Sequence, residues 1–139
     1  MKLLNQYIQI YLNKKMYKVS DQTFKDLIDD CLKELPKDHV NAIKNVAIIF
    51  EDEPSLLQRE NLNLKPYETL FGLYEGTPIS ARQGSQKFIP DKITLFKLPI
   101  ESVSSDLKTL KEQLKHTLWH EIAHYFGLNH DDIRKLDKR

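Results

Sequence analysis

Residues 120–130 read HEIAHYFGLNH, two histidines four apart with a glutamate directly after the first. On a helix, positions i and i+4 lie one above the other, so His120 and His124 can turn both imidazoles toward one point. Such a pair is a bidentate clamp for a borderline cation such as Zn²⁺, which takes imidazole nitrogen at about 2.0–2.1 Å. Glu121 can take the proton of a water that the metal activates, which is a general-base role. Gly127 fits a helix stop, because the residue after the last turn often adopts a left-handed conformation that glycine enters without penalty. The chain can then double back and bring His130 to the same ion. Three protein ligands leave a fourth position open, which distinguishes a catalytic zinc site from a closed structural one. Five positions agree on one chemistry, so a solvated row of unrelated histidines is the poorer reading.

The helix that this stretch needs is present. Leu107, Leu110, Leu114, Leu118, Ile122 and Tyr125 fall on one face at a period near 3.6, from a start at Ser104 or Ser105 to about Phe126. At about 100° per residue, His120 and His124 point well away from that stripe. Trp119 and Ala123 line the remaining side and are expected in the core. His116 extends the histidine row, but a row of three such ligands spans about 12 Å along the axis, too far to share a tetrahedral ion comfortably. A solvent or supporting role suits His116 better. His39 is expected at the surface.

With 139 residues, 40% hydrophobic, the chain is large enough for one core. The formal net charge of +1 implies no broad attraction to nucleic acid or membrane. The single cysteine, Cys31, excludes an internal disulfide, fits a reducing compartment and reads as a small core hydrophobe. No apolar run approaches the eighteen or so residues of a membrane span. The N-terminus lacks a signal-like core, because Asn5, Gln6 and Gln9 interrupt it, and a cytoplasmic protein is the default.

Residues 3–16 carry Leu3, Leu4, Tyr7, Ile8, Tyr11 and Leu12 at helical spacing, an amphipathic extension. A second helix follows, with Ser20 as N-cap, a stripe of Phe24, Leu27, Ile28, Cys31, Leu32 and Leu35, and Pro36 as its stop. Val46–Phe50 reads as a buried strand that exits through Glu51, Asp52 and Glu53, a solvated acidic run. Residues 55–66 give little signal. Leu73–Glu75, flanked by Gly72, Gly76 and Pro78, suggests a bent strand or hairpin corner, and residues 80–87 a flexible loop. Lys92–Leu98 alternates as a half-exposed strand between Pro90 and Pro99. The prolines place it at or near a sheet edge, where an extended peptide could add as a further strand.

HEIAHYFGLNH resembles the extended zinc motif of the metzincin peptidases. The first core helix ending ELP, then NVAIIFEDEPS, LFGLYEGTPIS, KITLFKLPI and TLWHEIAHYFGL, more closely resembles a family of small bacterial zincin-like metallopeptidases. The resemblance covers most of residues 20–133 and implies a minimal α+β zincin-like domain, residues 20–139, preceded by an extension over 1–19. It implies a small mixed sheet packed on helices, with the metal helix near the C-terminus. The implied site has His120, His124 and His130 on Zn²⁺ with Glu121 as the catalytic base, and a peptide or protein as substrate. Two departures stand out. No methionine follows Met16, so the Met-turn of metzincins has no counterpart. Members of the small family often carry an acidic residue where this chain has His130, which leaves Asp131 as the alternative third ligand. With nine residues after His130, an oxyanion-stabilising group is expected upstream, and Tyr74, Tyr67 and Arg82 are candidates by chemistry.

The leading expectation is a zinc-dependent peptidase. A metal-dependent RNA hydrolase is the runner-up, since a bacterial family of rRNA-processing endonucleases also resembles zincins and uses three histidines at similar spacing. That family lacks the glutamate after its first histidine, and this chain shows no basic–aromatic groove. A non-catalytic metal-binding module is the third.

Overall fold

Ser20 accepts the Thr23 N–H at 3.1 Å and so caps the first described helix, α1 (Asp21–Lys33). The computed structural model describes residues 16–43, 45–76, 91–127 and 131. The helix expected before Met16 and the loop expected over 80–87 lie outside them. After α1 come α2 (Lys37–Ala42), β1 (Ala47–Glu51), α3 (Leu56–Asn61), β2 (Gly72–Glu75), β3 (Lys92–Phe96), α4 (Lys97–Ser102) and α5 (Leu107–Tyr125). The domain is α+β, with one small mixed sheet packed on helices.

The strand order is β1-β3-β2, with β1 parallel and β2 antiparallel to β3. This corrects the edge position expected for Lys92–Leu98. The strand ends at Phe96, and it is the central one. Ile93, Thr94, Leu95 and Phe96 are all fully buried, so both of its faces are covered as well as both of its edges. The prolines flank it without entering it. Pro99 falls in the first turn of α4, where a missing N–H costs no helical hydrogen bond.

The register puts Ile48, Ile93 and Tyr74 on one face, together with Phe50, Leu95 and Gly72. Against that face lie α1 and α5. Phe24, Leu27, Ile28 and Cys31 of α1 join Leu110, Leu114, Leu118, Ile122 and Tyr125 of α5 in a single core with Ile93 and Leu95. Phe24 meets Phe50 edge-on at 5.1 Å, which closes α1 onto β1. The other face meets α3, whose Gln58 donates to Glu75 at 2.9 Å. Ser55 and Gln58 form a reciprocal capping box at the start of α3.

Two side chains depart from the helical-face reading of α5. Leu107 stands half-exposed above the core. Trp119, expected inside, is also half-exposed, and the Lys115 ammonium lies 5.2 Å from its ring. The six-residue α4 carries a buried charge network. Glu101 accepts the Val19 N–H at 2.7 Å and pairs with Lys97 at 3.2 Å, and Lys97 reaches Asp21 at 3.5 Å. With the Tyr17 N–H donating to the Ser104 carbonyl at 3.0 Å, this network holds the approach to α1 against α4 and the start of α5.

Candidate metal centre

The site grows out of the last two turns of α5. Asp106 caps the helix start in a box with Thr109. At the other end Gly127 takes a φ of 85° and donates its N–H to the His124 carbonyl at 2.9 Å, the left-handed stop expected from the sequence. Within the helix, His120, Glu121 and His124 each offer a ligand atom, and these atoms lie within 4.8 Å of one another. The two imidazole centroids are 4.8 Å apart with their planes at 73°. Both histidines are half-buried and Glu121 is buried. His116 stands outside the group, exposed, its ring 6.3 Å from that of His120. His130 lies outside the described residues. Asp131 is exposed and contributes no ligand atom to the group.

Glu121 lies beneath strand β2. Burial pushes its carboxyl up to about 7, and a hydrogen bond from the Tyr74 backbone N–H pulls the other way. The ladder explains why that N–H is aimed at the helix. The Phe96 N–H donates to the Phe71 carbonyl at 2.8 Å, so Phe71 sits opposite Phe96 in a hydrogen-bonded pair. In an antiparallel ladder such pairs alternate, which turns Leu73 and Glu75 toward β3 and the N–H and C=O of Gly72 and Tyr74 outward. Among the described residues β2 is therefore an outer strand of the sheet, and Glu121 of α5 lies beneath it.

Of the three upstream candidates for oxyanion stabilisation, Tyr74 packs edge-on against Tyr125 at 5.9 Å and donates its hydroxyl to the buried Asp91 at 2.7 Å. Tyr67 is exposed with Lys65 over its ring, and Arg82 lies outside the described residues. The two imidazoles suit a borderline divalent cation such as zinc, and the Glu121 carboxylate lies beside them.

A family model for zincin-like metallopeptidases matches residues 43–139, well over half of the chain. The chain belongs to the zincin-like metallopeptidase family. A solved structure of a conserved hypothetical protein from T. thermophilus superposes on this zincin-like domain with a TM-score of 0.54 and 18% identity. The superposition covers 78% of this chain and 94% of that one, and at such identity it speaks for the fold alone. No curated protein matches the chain. Membership brings metal-dependent hydrolysis, typically with zinc, as the family's chemistry. No helix among the described residues is long and apolar enough to cross a membrane.

Sequence reasoning on this zincin-like chain missed the part played by β2. Its glycine, which reads as a turn signal, lies inside the strand. A Cβ built on Gly72 would come 2.7 Å from Thr117 Cγ2 and 3.2 Å from Glu121 Cγ. The available signal was a glycine inside a short apolar strand, which marks close approach of another element as often as a corner.

Proposed function

We propose that this zincin-like chain is a zinc-dependent peptidase, with His120, His124 and His130 as ligands and Glu121 as the catalytic base. The observation that carries this reading is Glu121 itself, a buried carboxylate gathered with the two imidazoles and held under a sheet edge. Zinc, when bound, supplies Lewis-acid polarisation of the scissile carbonyl and lowers the pKa of water. The remaining work falls to the chain. In the metal-free chain burial raises this carboxyl to about 7, and such a desolvated carboxylate is suited to taking a proton from water and returning it to the leaving amine. The Tyr74 N–H fixes where that carboxyl sits. The outer position of β2 among the described residues suits main-chain pairing with an extended peptide, which carries no side-chain preference.

The test is Glu121→Gln assayed on a quenched-fluorescent peptide library, with zinc content measured on the same samples. The variant keeps near one zinc per chain and loses hydrolysis by a factor of at least about a hundred. Peptidase activity retained in zinc-loaded Glu121→Gln refutes the assignment.

A further inference from the structure

We propose that Gly72 is a positioning residue of this site: its missing side chain lets α5 approach β2 closely enough for Glu121 to reach the Tyr74 N–H. The catalytic consequence rests on the peptidase reading, whereas the contact does not. Three observations converge on it. A Cβ at 72 would sit 2.7 Å from Thr117 Cγ2, 3.2 Å from Glu121 Cγ and 3.3 Å from the Thr94 carbonyl. Thr117 would have to retreat by about 0.7 Å to restore ordinary contact. Its methyl has no slack of its own, because Thr117 Oγ1 donates to the Gln113 carbonyl at 2.8 Å and accepts from Gln113 Nε2 at 3.2 Å.

The strand cannot yield instead. β2 is fastened to β3 through Phe71 and Phe96 at 2.8 Å, and Tyr74 donates its hydroxyl to buried Asp91 at 2.7 Å. Any added volume at 72 is therefore relieved by moving α5, and Glu121 lies one turn beyond Thr117 on that helix. The carboxylate recedes from the Tyr74 N–H and from any peptide on the strand edge. Misplacing a reacting group by about 1 Å costs about a hundredfold in rate.

The experiment compares wild type, Gly72→Ala, Thr117→Ser and the double variant. The serine removes the obstructing methyl and keeps both Oγ1 hydrogen bonds. Each zinc-loaded protein is assayed for kcat and KM on the peptide library, and amide hydrogen exchange at Tyr74 is followed by NMR. Gly72→Ala is expected to retain zinc, to lose about a hundredfold in kcat with KM within about threefold, and to exchange the Tyr74 amide at least about tenfold faster. Thr117→Ser is expected to behave as wild type and, combined with Gly72→Ala, to restore most of kcat and of amide protection. Wild-type kcat and protection in Gly72→Ala overturn the proposal. So does a double variant as impaired as Gly72→Ala. Should Gly72→Ala fail to fold, the double variant decides: it must fold and protect the Tyr74 amide, and its failure to fold overturns the proposal. A wild type that cleaves no peptide sinks the peptidase reading alone, because amide exchange still tests the contact.

Discussion

Replacing Glu121 by glutamine should stabilise the metal-free protein at alkaline pH, even as it removes the base of the proposed chemistry. In the folded chain the Glu121 carboxyl is raised from 4.5 to about 7, with burial the larger cause and the Tyr74 N–H a partial offset. A folded-state pKa above the unfolded one means that the native state binds a proton the unfolded state has released. Stability from this group is therefore complete below about 4.5, falls as pH rises, and is gone above about 7. At about 1.4 kcal/mol per tenfold change in equilibrium, the ionised carboxylate costs the native state about 3 kcal/mol at pH 8. Glutamine carries no charge and can still accept from Tyr74, but burying its amide NH₂ strips water from two donors, at a cost of about 1 kcal/mol. The net expectation is that Glu121→Gln gains about 2 kcal/mol over wild type at pH 8 and loses that advantage by pH 4.5. The assay is urea unfolding in chelator across pH 4.5–8.5. Carboxylates with lowered values, such as Asp106, titrate in both proteins and cancel in the difference. A difference between the two proteins that stays flat with pH would refute the burial argument.

Other consequences follow from named contacts. Elemental analysis should find near one zinc per wild-type chain and its loss in His124→Ala, while retention in His130→Ala would move the third ligand to Asp131 or elsewhere. Glu101→Gln leaves the Lys97 ammonium buried without its closest partner, so denaturant unfolding should show a loss of about 3–5 kcal/mol. Leu118→Ala opens the fully buried contact between α5 and the core and should cost about 2–5 kcal/mol with zinc stoichiometry unchanged. The buried Cys31 thiol is pushed up to about 11, chiefly by burial, so mass spectrometry should find it unalkylated at pH 8 until urea unfolds the chain.

What the sequence made legible was whatever depends on local chemistry. The stripe from Leu110 to Tyr125, the stop at Gly127 and the Ser20 cap each carry their own physical signature. The apolar run of β1 marked a strand but not its burial, since β1 lies outermost in the sheet with Ile49 exposed. His120, Glu121 and His124 were found because helical spacing alone brings them together. Strand order was not legible in this way. Two prolines near Lys92–Phe96 look the same whether they border an edge strand or a middle one, and only pairing with β1 and β2 decides it. α3 escaped because Leu56 and Leu57 point into solvent and form no stripe, although Ser55 and Gln58 had the spacing of a capping box. Trp119 was misplaced because its size argues for burial while its position on α5 faces outward. Gly72 was read for what glycine does to its own backbone, and here it matters for what it permits a neighbour to do.

The placement of β3 also sets a timetable for synthesis. Both strands that pair with it precede it in the chain, and β1 ends at Glu51 while β3 begins at Lys92. At about 5–20 residues per second, β1 leaves the peptidyl-transferase centre roughly 2–8 s before its partner exists. No sheet, and no edge for Glu121 to lie beneath, can form in that interval. The turn of α5 that carries His120 and His124 is made later still, so the strands of the platform are all synthesised before the candidate metal centre.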